Sequence, residues 1–218
     1  MKNVLLVILT LSVLVSCGKN FKEYEYLLEP QIIDKAPQKL LVYEVVGNPN
    51  EVGGEAFGAL FSTFFKLKKE HKLDMAVPRA RWPKPLETPK DEWLGIYAMP
   101  VNDSVMEIPE KIQLKYPKLK LETWKYGMTA EILHIGSYAS EPASVEKLHK
   151  LMEAEGYEIS GPHEEEYLKG PGMFGPGNPD KYYTIIRYPV KKRTPVLESN
   201  IIQTEVTEET KIVDGGVE

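Results

Sequence analysis

The chain has 218 residues, 42% of them hydrophobic, with a net charge of −5 and a single cysteine. That length and apolar content suffice for one ordinary core or two small halves packed together, and they exclude a wholly disordered chain. The acidic balance offers no electrostatic footprint for nucleic acid, and the lone Cys17 excludes an internal disulfide, a thiolate metal cluster and a cysteine-based dyad in the folded body.

Met1-Lys2-Asn3 is a short positive start, followed by an apolar run from Val4 to Val15. The run is shorter than the roughly 20 residues needed to span a bilayer, so residues 1–16 read as a signal peptide. It ends in Leu14-Val15-Ser16-Cys17, which resembles the lipobox of bacterial lipoproteins; the alternative is an ordinary secretory signal with a chance cysteine. The resemblance implies cleavage before Cys17, lipidation of Cys17 by a diacylglycerol thioether and an N-linked palmitate-type chain, and stable membrane anchoring. Gly18 rather than Asp after the cysteine implies the outer membrane, with the domain facing the periplasm. Residues 17–37, with Pro30 and Pro37, read as a lipidated tether.

From Lys39 the chain is patterned. Leu40 to Val46 is a β-rich run apolar on both faces, stopped by Gly47. Asn50 is a candidate cap for a helix from about Glu51 to Glu70, whose Phe57, Leu60, Phe61 and Phe64 share one face. Met75-Ala-Val-Pro78, a Pro-rich connection and a strand from Trp93 to Met99 complete a strand-helix-strand-strand unit. The order recurs downstream: a strand Ala130–Ile135 stopped by Gly136, a helix opened by Pro142 and ended by Gly156, and strands Glu164–Leu168 and Tyr182–Tyr188 closed by Pro189.

An offset of 89 residues superposes Gly47 on Gly136, Asp91 on Asp180, Pro100 on Pro189 and Val101 on Val190. These are positions where backbone geometry restricts residue type, so the pattern reads as an α+β domain over 38–191, duplicated with pseudo-two-fold symmetry in halves of about 39–101 and 128–190. On that offset Glu165 is equivalent to Ala76 and Tyr167 to Pro78, which gives a central cleft its carboxylate from one half only. Residues 192–218 read as a flexible tail, with Lys191-Lys192-Arg193 a solvated strand end.

The second half contains His134-Ile-Gly-Ser-Tyr138, Gly156-Tyr-Glu-Ile-Ser-Gly-Pro162, Glu165-Glu-Tyr167-Leu and Thr184-Ile-Ile-Arg-Tyr-Pro-Val190. These segments resemble the GyrI-like small-molecule (effector) binding domain. The resemblance implies a curved antiparallel sheet with two helices and a ligand in the central cleft, with the family's acidic residue on Glu165 and its aromatic companion on Tyr167. The run Glu164-Glu165-Glu166 leaves open which acid faces the cleft. Phe57–Phe65 and Lys72–Pro78 are similar to SOUL haem-binding proteins of the same superfamily, which implies haem as an alternative cofactor; no haem ligand is assigned.

The site expectation is therefore ligand binding by Glu165 and Tyr167, with Tyr138, Trp82, Trp93, Tyr97, Tyr183 and also Trp124 as candidate aromatic walls. A carboxylate in an aromatic cleft selects a cation or a hydrogen-bond donor, so the expected partner is a small amphiphilic or cationic molecule. Glu164 and Glu166 read as solvated acids on a sheet edge. The four histidines match no metal-ligand spacing; no metal is assigned, although His163 with the glutamates is the nearest arrangement to one. Gly-x-Ser-x-Gly is absent and no catalytic residue is assigned, and should the domain be a hydrolase, Glu165 and Tyr167 would carry it. The Gly170–Gly177 stretch is either a lid or the hairpin connection.

Overall fold

The computed structural model describes residues 21–85, 87–171 and 177–194. The signal peptide, Cys17, most of the Gly170–Gly177 loop and the tail from residue 195 lie outside them.

Among the described residues nine strands form one antiparallel sheet: β1 (Gln31–Lys35), β2 (Gln38–Val46), β3 (Arg79–Trp82), β4 (Leu94–Pro100), β5 (Leu119–Trp124), β6 (Gly127–Ile135), β7 (Tyr157–Ile159), β8 (His163–Lys169) and β9 (Tyr183–Lys192). Three α-helices accompany them, α1 (Pro49–His71), α2 (Glu110–Lys115) and α3 (Pro142–Ala154). The sheet order is β1-β6-β9-β8-β3-β4-β2-β5, with β7 extending the β8 side of β9. This order is palindromic under the exchange of β2 with β6, β4 with β9, β3 with β8 and β5 with β1.

The register carries the duplication residue by residue. Leu40 pairs with Pro100 as Thr129 pairs with Pro189, and Val46 pairs with Leu94 as Ile135 pairs with Tyr183, each equivalent position 89 residues apart. Gly47 and Gly136 take φ of 143° and 141°, a region closed to most L side chains, and their amides bond the carbonyls of Trp93 and Tyr182. The offset drops to 85 at the central strands, because Ala80 pairs with Tyr97 as Glu165 pairs with Ile186. The expected strand at 75–78 is therefore corrected to 79–82, and the residue equivalent to Glu165 is Ala80, not Ala76. Connections absorb length differences more easily than paired strands do, which accounts for the local slip.

Other boundaries differ in instructive ways. Asn48, not Asn50, caps α1, its side chain accepting from the Asn50 amide with Pro49 at the first turn. α1 ends at Lys72 in the left-handed conformation, with Lys68, Lys69 and His71 suiting the negative end of the helix dipole. β9 runs through Pro189 to Lys192 rather than stopping there. The expected tether is corrected for its described part: Phe21–Leu27 forms a 3-10 turn that buries Leu27, and β1 pairs with β6 from Gln31 to Lys35.

Alternation along the strands creates two unlike faces. One is covered by α1 and α3: Leu41, Tyr43, Tyr97 and Met99 pack with Ala56, Leu60, Phe64 and Leu67, while Ala130, Ile132, Ile186 and Tyr188 pack with Leu148 and Met152. The other carries Leu40, Val42, Trp124 and Tyr126 on one side and Leu27, Leu133, Leu168 and Ile185 on the other. Two-residue links, Ala36-Pro37 and Lys125-Tyr126, join strands at opposite edges of the sheet, so the sheet must curve until those edges approach.

Candidate functional site

β8 and β3 lie side by side at the centre of the sheet, and β8 sends its three consecutive carboxylates alternately to the two faces. Glu164 and Glu166 point away from the helices and are 1% and 8% exposed. The expectation of solvated acids at a sheet edge is overturned, because β8 is central and three arginines meet these carboxylates. Arg187 lies 2.6 Å from Glu166 and 3.3 Å from Glu164, and its Nε is 2.6 Å from Glu131. Arg79 approaches Glu166 at 3.2 Å, Arg81 approaches Glu164 at 2.8 Å, and Lys35 approaches Glu131 at 3.1 Å. The Tyr126 hydroxyl donates to Glu164 at 3.0 Å and accepts from Arg79 at 2.8 Å. Burial would lift the Glu166 carboxyl, but the charges of Arg187 and Arg79 outweigh it and hold it below the usual range. This cluster ties strands of both halves together, and each of its three acids is met by at least one basic side chain.

Glu165 points the other way, beneath α1 and α3, and its side chain is 14% exposed. Among the described residues the only basic side chain in ion-pair range is His163, two positions back on the same face, with Nε2 3.0 Å from a Glu165 oxygen. His163 Nδ1 is 2.8 Å from the Tyr188 hydroxyl. Tyr167, two positions on, lies beside Glu165, and burial followed by that neighbouring charge raises its phenol well above the ordinary value. The same two causes push Tyr97 up to about 12, and Tyr138 rises as well. Burial first, then Glu165 and Glu141, push Tyr188 up to about 12. Glu165 is thus surrounded by neutral hydroxyls.

A second carboxyl enters from the start of α3. Glu141 is 9% exposed, and burial together with the charge of Glu165 raises it to about 9, so it holds its proton at neutral pH. Its Oε1 has no hydrogen-bond partner among the described residues. One ligand atom each from Glu141, His163 and Glu165 lie within 4.8 Å of one another.

Aromatic rings continue outward from this point in a row. Tyr182 meets Tyr138 (5.5 Å between centroids), Tyr138 meets Tyr167 (6.0 Å), Tyr167 meets Phe57 (5.9 Å), Phe57 meets Tyr97 (5.0 Å), Tyr97 meets Trp82 (5.6 Å) and Trp82 meets Trp93 (5.6 Å). The row repeats the symmetry of the sheet, since Trp82 and Trp93 stand where Tyr167 and Tyr182 stand in the other half.

The structure therefore brings Glu165, Tyr167, Tyr138, Tyr97, Trp82 and Trp93 onto one face of the sheet. Tyr183 is a correction: it lies on the opposite face, stacked on Phe21 at 4.2 Å, and its neighbour Tyr182 occupies the end of the row. Trp124 is also on the opposite face, under the Arg81 guanidinium at 3.7 Å. Glu141 and Tyr188 were not singled out from the sequence. Glu141 is hidden beside the proline that opens α3, and Tyr188 reads as an ordinary strand residue.

The sequence model of the GyrI-like small molecule binding domain matches residues 28–191. The chain belongs to the GyrI-like family. Its match includes β1, in agreement with the pairing of that strand to β6. Among solved structures, an uncharacterized conserved protein from Listeria innocua is 24% identical with a TM-score of 0.65, covering 78% of this chain and 98% of that one. A protein from Listeria innocua described as a hydrolase is 22% identical with a TM-score of 0.65 over the same shares. The EcmrR C-terminal domain is 13% identical with a TM-score of 0.53, covering 76% of this chain and 98% of that domain. These likenesses establish the fold of a GyrI-like α+β domain with a curved antiparallel sheet. Comparison with curated proteins gave no match.

Proposed function

We propose that this GyrI-like protein is an envelope lipoprotein, anchored through Cys17, that binds a small cationic or amphiphilic molecule against Glu165. One observation carries the ligand class: of three adjacent carboxylates on β8, two are matched by arginines, while Glu165 faces an aromatic row with His163 as its only basic neighbour among the described residues. A carboxylate in such surroundings gains most from a cation that brings its own apolar surface, and the rings add cation-π attraction. The membrane anchor rests on the Leu14-Val15-Ser16-Cys17 segment, and Gly18 supports an outer-membrane address facing the periplasm.

The test is a thermal-shift series of cationic dyes with neutral analogues of matched shape. At about 100 times its dissociation constant a ligand adds roughly 2.7 kcal/mol of stability. The cations raise the midpoint of the wild-type protein and fail to do so in Glu165→Gln; equal shifts from the neutral analogues would sink the reading. For the anchor, Cys17→Ser is expected to abolish metabolic labelling with a fatty-acid analogue.

A second reading, hydrolysis, is favoured by the closeness of Glu165 to Glu141, whose carboxyl is raised to about 9 by burial and by the charge of Glu165 and could serve as an acid. It predicts turnover that disappears in Glu165→Gln. Among the described residues around Glu165 no observation specifically favours the haem alternative.

A further inference from the structure

We propose that Glu141, His163 and Glu165 form a divalent metal site of the kind that takes Zn2+. The site does not depend on the organic-cation reading; because both use Glu165, the two ligands exclude one another.

The donor set is one imidazole nitrogen and two carboxylate oxygens, a combination that zinc accepts at bond lengths of about 2.0–2.2 Å, with a fourth position left for water. The three ligand atoms lie within 4.8 Å of one another, a spread that side-chain rotation of the order of 1 Å closes onto such a centre. They come from regular elements: His163 and Glu165 are alternate residues on one face of a central strand, and Glu141 is the residue that caps the start of α3.

Glu141 supplies the independent sign of a missing partner. It is nine-tenths buried, and its Oε1 has no hydrogen-bond partner among the described residues. Buried polar atoms are rarely left so, and an unmatched carboxyl oxygen beside a histidine and a second carboxylate is the arrangement a cation completes. The outer contacts also suit a metal. Tyr188 meets His163 at Nδ1, 2.8 Å away, which leaves Nε2 directed at Glu165 and the proposed centre. Tyr167 stands two positions beyond Glu165 on the same face of the strand and is buried beside it. Metal-bound histidines and carboxylates are commonly fixed by second contacts of this type. Two carboxylates balance the charge of a divalent ion, so the loaded site is neutral. On loading, His163 Nε2 exchanges its contact with Glu165 for the metal, and any proton carried by the ligand atoms passes to solvent.

The experiment is calorimetric titration of the chelator-treated full-length protein with ZnCl2, alongside Co2+ absorption spectroscopy. The expected result is one equivalent of Zn2+ bound, visible d–d bands with Co2+, and affinity lowered at least tenfold in Glu141→Gln and in His163→Gln, each checked for native circular dichroism. His71→Gln, at the end of α1, is expected to bind like the wild type. Failure of the wild-type protein to bind Zn2+, or unchanged affinity in folded Glu141→Gln and His163→Gln, would overturn the proposal. Glu141→Gln retains Glu165, so cationic-dye binding to that variant reports on the other reading separately.

Discussion

Ala80 and Glu165 are direct partners in the β3–β8 ladder and occupy equivalent positions of the two halves. At the one place where the pseudo-symmetric halves touch along their central strands, an alanine faces an acid. Residues directly opposite have Cβ atoms about 4.5–5.5 Å apart. A second carboxylate at position 80 would share the site with Glu165, in a spot that is fully buried. Ala80→Glu is therefore expected to be less stable than Ala80→Gln by roughly 1–3 kcal/mol at pH 8, measured by urea denaturation. The glutamine variant separates crowding from charge.

The cluster on the opposite face makes a different prediction. Arg187 contacts Glu131, Glu164 and Glu166 at once, and Arg187→Met leaves those acids short of a buried cation. The loss is expected to be about 3–5 kcal/mol, the usual consequence of removing one partner from a buried ion pair. The same variant carrying Glu131→Gln should recover part of it in a double-mutant cycle.

Acid stability follows from Glu166. Its folded carboxyl is held below the ordinary value of about 4.3, so its contribution is present above that pH and is lost as pH falls through the folded value. In denaturation curves recorded from pH 6 to pH 2, the wild-type protein should lose stability below about pH 4.3 more steeply than Glu166→Gln.

Gly95 tests the aromatic row. A Cβ there would lie 2.5 Å from a Tyr97 ring carbon and 3.2 Å from Trp82, so the two rings must move. Gly95→Ala is expected to cost about 1–3 kcal/mol and to alter tryptophan fluorescence. Weakened binding of any ligand that stacks on Trp82 should accompany it.

Much of this arrangement was legible in the chain. The alternation of Glu164, Glu165 and Glu166 fixes which acid shares a face with Tyr167, whatever the tertiary structure does. Gly47 and Gly136 mark equivalent strand ends because their φ angles exclude most other residues. The burial of Glu164 and Glu166 was not legible, since Arg79, Arg81 and Arg187 arrive from two distant segments and composition does not report who meets whom. β3 was placed four residues early because connecting segments differ in length between the halves. β1 was missed for a related reason: Gln31-Ile-Ile-Asp-Lys35 is too short and polar to declare itself, and only pairing with β6 makes it a strand.

That strand supplies one more prediction. A fragment beginning at Gln38, where the patterned region starts, lacks β1 and the fully buried Leu27. Relative to a fragment beginning at Phe21 it is expected to lose at least the roughly 1.5–3 kcal/mol that one fully buried leucine contributes. Thermal melting of the two fragments decides it.

The outer strands also limit how the domain can move. β1 precedes the first half in the chain yet completes the second, whereas β5 follows the first half's β4 and completes that half before the chain enters β6. Each half is clasped by an outer strand that stands, in chain order, at the head of the other, and the two halves are interlocked like linked hooks. Swinging them apart about the central strands would pull against both clasps together. Among the described residues beside Glu165, Tyr138, more than a third exposed and in ring contact with both Tyr167 and Tyr182, is the side chain placed to turn.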